Sequence, residues 1–391
     1  MFPRIHPLFV NIGALALLGG IFFFLTRFGA EENTYVAVDP FATTSVQVAA
    51  AGAEFPAPPP PISAPSIAKP KATTTAGVAK TQERQRSAPK QAENEATRVQ
   101  DPYPFPPQSV EVVNDAARSA LVNILCTSQG GMVQSIAGSG IIIDPRGVIL
   151  TNAHVAQYIL LSQSPLINLS CTIRTGSPAV AHWIPEVLYI PPVWVEKHAQ
   201  EIRMPRPMGT GEHDYALLLI AKSLDGTPLP SPASGFPHLP FDTREAIGFQ
   251  DDEVLIASYP AEFIGGHAAQ FNLFPVTSVA SIRGLLTFAA NTVDLISLGG
   301  VVEAQSGSSG GAVVNAWGRL VGLISTTSEG ETTAARDLRA LTLSYINRDL
   351  VAQTQFDIPI ILGGDVFAQA QDFNARVAPP LVDLYIKHLS N

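Results

Sequence analysis

The chain has 391 residues, two cysteines and a net charge of −9, and 46% of its residues are apolar. The negative charge argues against nucleic acid or an anionic membrane surface as the main partner, and two cysteines make neither a disulfide-rich scaffold nor a cysteine-rich metal site. No metal-binding spacing of Cys and His occurs, so we expect no metal site.

An uncharged, mostly apolar run of 18 residues occupies positions 8–25. As a helix it would be about 27 Å long, close to the thickness of a bilayer core. Arg4 precedes the run, and this slight positive bias predicts residues 1–7 in the cytoplasm, a transmembrane anchor in the lipid bilayer at 8–27 and an extracytoplasmic remainder. The alternative is a signal peptide that is cleaved to release a secreted protein, although Phe28 makes a poor cleavage site.

The composition predicts a disordered Pro/Ala-rich linker over residues 28–109. Between about 49 and 107, Pro, Ala, Thr, Ser, Lys and Gln dominate, and four consecutive prolines occupy positions 58–61. Such a segment cannot bury enough apolar surface to offset the entropy lost on ordering. We expect a spacer.

From residue 110 onward, short β-type runs alternate with turn residues, and a Pro/Gly/Ser-rich stretch at 227–240 separates two halves. Many short strands at near-regular spacing predict an all-β domain made of two six-stranded antiparallel β-barrels with a few short helices. The predicted boundaries are 110–355 for this domain, about 118–225 and 245–349 for its barrels, and 356–391 for a helical C-terminal extension.

Three motifs supply residues for nucleophilic catalysis. His154 ends Thr-Asn-Ala-His, Asp214 opens Asp-Tyr-Ala-Leu-Leu, and Ser309 lies within Gly-Ser-Ser-Gly-Gly, with gaps of 60 and 95 residues. A serine hydroxyl needs a base to remove its proton, and histidine suits that role near neutral pH. A buried aspartate orients the histidine and stabilises its charged form. Each motif alone has an ordinary structural explanation, but their joint order predicts a His-Asp-Ser triad.

The glycines around Ser309 predict where an oxyanion would bind. Gly307 can adopt a backbone conformation that turns its N–H inward beside the N–H of Ser309, and these two donors would form an oxyanion hole. We interpret Ser306 and Ser308 as loop residues and His213 as structural, because adjacent strand positions face opposite sides.

Together the motifs at His154, Asp214 and Ser309 resemble trypsin-like serine peptidases of the chymotrypsin fold, over roughly residues 118–349. Asn152 before the histidine and the apolar N-terminal run resemble the HtrA/Deg branch. The resemblance implies polypeptide substrates and a site in the cleft between the barrels. It also implies substrate-binding residues. Ser325, Thr326 and Thr327 would lie on a strand beside the specificity pocket, and Glu303 would lie at the pocket floor.

An acid at position 303 would favour Arg or Lys at the cleavage position, and an exposed loop glutamate is the alternative.

The resemblance also places Cys126 and Cys171 on neighbouring strands, where either a disulfide or two buried thiols would suit. HtrA proteins usually carry C-terminal PDZ domains, but only 82 residues follow Ser309. We expect no PDZ domain, and homo-oligomerisation stays open.

These observations predict a serine endopeptidase that cleaves exported or envelope proteins through an acyl-enzyme and needs no cofactor. Two alternatives remain open. One is a catalytically silent protease-fold binding module, and the other is a self-processing protease that cuts only its own linker.

Overall fold

The computed structural model describes residues 90–91, 102–204, 210–231, 234–245, 247–264, 269–288, 292–328 and 330–390. Contacts divide the chain into two units, Met1–Lys80 and Thr81–Asn391, and every described residue belongs to the second unit. The predicted anchor at 8–27 and most of the predicted linker at 28–109 lie outside the described residues. Among the described helices, none has the length and apolar character that a membrane crossing requires.

The first half of the domain folds into a closed, antiparallel, six-stranded barrel, as predicted. Its strands close in the order β2-β3-β4-β7-β6-β5, and their inward-facing aliphatic side chains fill a buried core. Cys126 and Cys171 face each other across the paired strands β2 and β5 and form a disulfide. The six strands are β2 (Leu121–Ser128), β3 (Ile136–Asp144), β4 (Val148–Thr151), β5 (Leu169–Thr175), β6 (Val180–Tyr189) and β7 (Ala216–Ser223).

The second half forms an eight-stranded antiparallel half-barrel, so the prediction of a second six-stranded antiparallel barrel was confirmed in its general form and wrong in its strand number and closure. The order is β1-β10-β11-β14-β13-β12-β8-β9, and every neighbouring pair is antiparallel. Its strands are β1 (Lys90–Gln91), β8 (Glu253–Ser258), β9 (Val276–Ser281), β10 (Gly284–Thr287), β11 (Leu295–Gly299), β12 (Ala312–Asn315), β13 (Leu320–Thr327) and β14 (Leu338–Thr342).

A two-residue break separates β9 from β10. Ile282 N donates to Asp252 O at 3.0 Å, whereas the next residue, Arg283, donates from its N to Ser297 O at 2.7 Å. The chain therefore changes partner at the break: β9 bonds to β8, and β10 bonds to β11 on one side and to β1 on the other.

Helices flank the strands and complete the core. Ser109 caps the first helix, and its hydroxyl oxygen accepts a hydrogen bond from Val112 N. The last three helices pack with the first barrel, and Arg146 of the β3–β4 turn donates to the carbonyl of Gly364 at 2.8 Å. The helices are α1 (Val110–Ala120), α2 (Ala153–Leu161), α3 (Pro192–His198), α4 (Leu343–Thr354), α5 (Ile358–Gly363), α6 (Val366–Asp372) and α7 (Ala378–Ser390).

Candidate active site

The structure brings His154 and Asp214 into direct contact. His154 lies in the first turn of α2, which follows β4, and Asp214 lies shortly before β7, the strand that pairs with β4. His154 Nδ1 is 2.8 Å from Asp214 Oδ2, and the backbone N–H of His154 donates to Asp214 Oδ1 at 3.0 Å. Asn152 Nδ2 donates to the backbone carbonyl of Asp214 at 2.8 Å. An ionised carboxylate only accepts hydrogen bonds, so Nδ1 carries the proton and Nε2 is the ring nitrogen that can accept one.

The interaction between His154 and Asp214 shifts their pKa values in opposite directions. Burial alone would raise the pKa of Asp214, but the charge of His154 and the hydrogen bonds from His154 and Ser325 outweigh burial and lower this pKa. Burial alone would lower the pKa of His154, but the charge of Asp214 and their hydrogen bond outweigh burial and raise this pKa above the ordinary histidine value. The arrangement therefore favours an ionised Asp214 and stabilises a protonated His154.

Ser325 supplies a contact with Asp214 that the sequence did not predict. The pairing of β13 with β14 passes from Ile324 opposite Ala340 to Thr326 opposite Arg339, so Ser325 is the extra residue of a β-bulge. Its hydroxyl donates to Asp214 Oδ2 at 2.8 Å. A strand of the second sheet thus holds the carboxylate at the edge of the first barrel.

Ser309 lies in the loop between β11 and β12, and its side chain is partly exposed. Its Oγ donates to the carbonyl of Ser325 at 3.5 Å, at the limit of a hydrogen bond. Among the described atoms, no hydrogen bond joins Ser309 Oγ to His154. The structure therefore places Ser309 beside Ser325, and the hydroxyl of Ser309 is not hydrogen-bonded to His154.

Residues 303–310 contain the predicted oxyanion donors, and we call them the oxyanion loop. Two backbone N–H groups of this loop make no hydrogen bond to the described residues. Gly307 has φ +95°, and a Cβ there would lie 2.7 Å from Tyr259 O, so only glycine fits. Ser306 O accepts a hydrogen bond from Ala261 N at 2.8 Å. The N–H and C=O of a trans peptide point in opposite directions, so Gly307 N–H points away from Ala261. Within the described residues, neither Gly307 N–H nor Ser309 N–H donates a hydrogen bond, which leaves both available to an anion.

Ser139 of β3 holds the oxyanion loop from the side of the first barrel. Its Oγ donates to Gly307 O at 2.7 Å and accepts from Tyr259 N at 2.9 Å. Its backbone N–H donates to Ser309 O at 2.8 Å. Ser139 occurs in an ordinary Gly-Ser-Gly strand sequence, and its contact with Gly307 lies 168 positions away, so no local signal marked it.

Glu303, predicted at the floor of a specificity pocket, has a side chain that is completely buried. The alternative of an exposed loop glutamate was therefore wrong. Glu303 Oε2 accepts from Ser278 Oγ at 2.8 Å, while Oε1 has no partner among the described residues. Burial raises the pKa of this carboxyl above its ordinary value. A buried oxygen without a partner is costly unless something pairs with it.

The remaining residues of interest lie on either side of this centre. Thr326 and Thr327 end β13, opposite Arg339 and Leu338 of β14. His213 has φ +59°, and its Nδ1 contacts both carboxylate oxygens of Asp349 at 2.9 Å. His213 therefore binds α4 and takes no part in the His154–Asp214 contact.

Comparisons with known proteins found one matching family model and similar solved structures. Residues 138–323 match the family model of the trypsin-like peptidase domain. A similar solved structure is the crystal structure of the serine endoprotease from Yersinia pestis, which is 18% identical, covers 64% of this chain and 68% of that chain, and superposes with a TM-score of 0.39. No curated protein matches the chain. Over residues 138–323, the chain is therefore similar to trypsin-like peptidases.

Proposed function

We propose that the protein is a serine endopeptidase in which Ser309 is the nucleophile, His154 the general base and Asp214 the residue that orients His154. The observation that carries this proposal is the combination of the 2.8 Å His154–Asp214 contact with two unused N–H donors, on Gly307 and Ser309, next to the serine. Active-site hydrogen bonds are often long before substrate binds, so the absence of a Ser309–His154 bond is compatible with this role.

The chemistry follows from these positions. His154 Nε2 removes the proton of Ser309 as Oγ attacks the substrate carbonyl, and the carbonyl oxygen takes the negative charge between Gly307 N–H and Ser309 N–H. His154 then gives the proton to the leaving amine, which leaves an acyl-enzyme on Ser309. Water, deprotonated by the same histidine, hydrolyses this ester and restores the hydroxyl.

Labelling with a fluorophosphonate tests the proposal, because this probe reacts only with an activated serine. We expect the label on Ser309 by mass spectrometry, no label on Ser309→Ala, and cleavage of fluorescent casein by the wild-type protein alone. A folded wild-type protein without label would support the silent binding module instead. Label on Ser309 without cleavage of any foreign protein would support the self-processing protease.

For specificity, we propose that Glu303 receives a basic side chain at the cleavage position, and that Ser325, Thr326 and Thr327 flank the bound substrate. The support is the buried Glu303 Oε1, which has no partner among the described residues. A panel of peptides that differ only at the cleavage position tests this. We expect faster cleavage after Arg and Lys, and equal rates after Leu, Val and Arg would contradict it.

For location, we propose that residues 8–27 anchor the protein in the bilayer with the peptidase domain outside the cytoplasm, where exported or envelope proteins are its substrates. The support is the apolar run at 8–25 and the Cys126–Cys171 disulfide, a bond typical of oxidising compartments. Alkaline extraction of membranes should leave the protein in the pellet. A soluble protein whose N-terminus begins after residue 27 would indicate cleavage and secretion.

Membership in the HtrA/Deg branch and homo-oligomerisation stay predictions from the resemblance. Light scattering of the purified protein measures the second directly.

A further inference from the structure

A salt bridge outside the triad lies behind the oxyanion loop. Arg336, in the connection between β13 and β14, donates from Nη1 to Glu262 Oε2 at 2.7 Å and from Nη2 to Glu262 Oε1 at 3.0 Å. The side chains of Arg336 and Glu262 are only 11% and 13% exposed. A two-pronged, mostly buried pair of this kind has a defined geometry, unlike a solvent-exposed ion pair.

The Glu262–Arg336 pair makes hydrogen bonds to two residues of the oxyanion loop. Glu262 Oε2 accepts a hydrogen bond from Ser306 N at 3.0 Å, and Arg336 Nη1 donates to Ala304 O at 2.8 Å. The neighbouring Ala261 N–H binds Ser306 O at 2.8 Å. Both backbone groups of Ser306 are thus fixed by consecutive residues of the segment that follows β8.

The orientation of Ser306 decides where the next peptide group points. The carbonyl of Ser306 and the N–H of Gly307 belong to the same peptide unit and point in opposite directions. A rotation of this unit would break the bond from Ala261, turn a carbonyl oxygen toward the oxyanion position and remove one of its two donors. Gly307 offers little resistance to such a rotation, since glycine populates positive and negative φ about equally.

We propose that Glu262 and Arg336 are positioning residues that hold the Gly307 N–H toward the oxyanion. Arg336 orients the carboxylate of Glu262, and Glu262 together with Ala261 fixes the backbone of Ser306. Neither side chain touches the reacting atoms. Arg336 also donates from Nε to Gly330 O at 2.9 Å, so the β13–β14 connection, the segment after β8 and the oxyanion loop meet on one guanidinium.

The sequence gives no sign of this arrangement, because the paired residues are 74 positions apart. The inference rests on the proposed function of Ser309 and Gly307, and the tests below separate the two.

Arg336→Met is the main variant, with Arg339→Met as its matched control. Arg339 makes an ion pair of similar length with Asp337, at 2.9 Å, but it lies on β14 and contacts no part of the oxyanion loop in the described structure. Loss of a single oxyanion donor costs roughly 100- to 1,000-fold in kcat, and a donor that is only part of the time misplaced costs less. We expect Arg336→Met to lower kcat roughly 10- to 100-fold while KM changes by less than about threefold.

Two further variants distinguish positioning from general destabilisation. Arg336→Lys keeps the charge but lacks the planar fork that reaches Glu262, Ala304 and Gly330 together, so its kcat should lie between those of the wild type and Arg336→Met. Glu262→Ala should match Arg336→Met, and the double variant should be hardly slower than either single one, because residues that act as a unit are not additive. If Arg336→Met does not fold, Arg336→Lys and Glu262→Ala carry the same comparison.

Hydrogen–deuterium exchange gives a readout that needs no activity. Peptides covering the oxyanion loop should exchange faster in Arg336→Met than in Arg339→Met. The proposal is overturned if folded Arg336→Met keeps kcat within twofold of wild type, if KM rises while kcat stays constant, or if exchange of the loop is unchanged. A wild-type protein that neither labels nor cleaves would contradict the proposed function, whereas an active wild type with an equally active Arg336→Met would contradict only the positioning role.

Discussion

The hydroxyl of Ser325 donates a 2.8 Å hydrogen bond to Asp214 Oδ2, the same oxygen that contacts His154 Nδ1. The two residues are 111 positions apart and belong to different β-structures. The bond stabilises the ionised carboxylate, and it requires the bulge that takes Ser325 out of register.

Ser325→Ala should therefore slow catalysis without unfolding the protein. A hydrogen bond to a charged group contributes about 1.5 kcal/mol or more, which corresponds to roughly tenfold in rate if the transition state depends on it fully. We expect kcat to fall by about that factor, measured with a chromogenic peptide. Ser119→Ala is a suitable control, since within the described residues that hydroxyl bonds only to the carbonyl of Ala116 in its own helix. Equal rates for both variants would show that this bond does not matter to catalysis.

If His154 is the general base, its raised pKa sets the acid limb of activity. The base must be unprotonated at Nε2, so kcat/KM rises as the pH increases through this pKa. Because Asp214 raises the pKa of His154, we expect the midpoint above the ordinary histidine value of about 6.5. Asp214→Asn should move the midpoint down and lower kcat by a factor on the order of 10,000. A wild-type midpoint at or below that of Asp214→Asn would contradict the assignment.

Glu303 should make stability depend on pH. Burial raises the pKa of its carboxyl, so its contribution to stability is complete below the pKa of the unfolded chain and is lost as the pH rises toward the folded-state value. Glu303→Gln has no carboxyl to ionise, so the variant should not lose this stability as the pH rises. We expect the variant to melt on the order of 2 °C or more above wild type at pH 8, with no such difference at pH 4, by scanning calorimetry.

The same substitution separates stability from specificity. If Glu303 binds a basic side chain of the substrate, Glu303→Gln loses the preference for Arg and Lys while it gains stability. A melting difference that is the same at both pH values would mean that the carboxyl does not titrate as its burial implies.

The Cys126–Cys171 disulfide should support the fold and leave the chemistry unchanged. It links paired strands of the first barrel, 45 residues apart in sequence, and its cysteines lie outside the catalytic motifs. Replacing both by alanine should reduce the free energy of unfolding by about 2–4 kcal/mol, measured in urea, with kcat/KM within about twofold of wild type. A tenfold loss of kcat/KM in the folded variant would connect the bond to the site.

Local motifs predicted part of this centre well. His154 and Asp214 each follow a sequence pattern that fixes their place next to a strand, and the strands β4 and β7 then bring them together. Gly307 was predictable because the conformation it needs is one that other residues rarely adopt. The disulfide could be named only as an alternative to free thiols, since strand register is a property of the folded sheet.

Contacts between distant segments could not be predicted. Ser139 and Arg336 occur in unremarkable local sequences, and Ser325 was predicted to bind substrate but not to contact Asp214. The partners of all three are set by the packing of distant segments on one another. The open second sheet was missed for a related reason. A change of hydrogen-bonding partner between Ile282 and Arg283 leaves no trace in an alternation of polar and apolar residues.

Ser139 connects the two β-structures by hydrogen bonds. A single residue of the first barrel binds the carbonyls of Gly307 and Ser309 and also the amide of Tyr259, all of which belong to the second half of the domain. A separation of the two halves would break these hydrogen bonds and free both carbonyls. If Gly307 and Ser309 stabilise the oxyanion, the hydrolytic rate should fall with such a separation and so report how tightly the halves are closed.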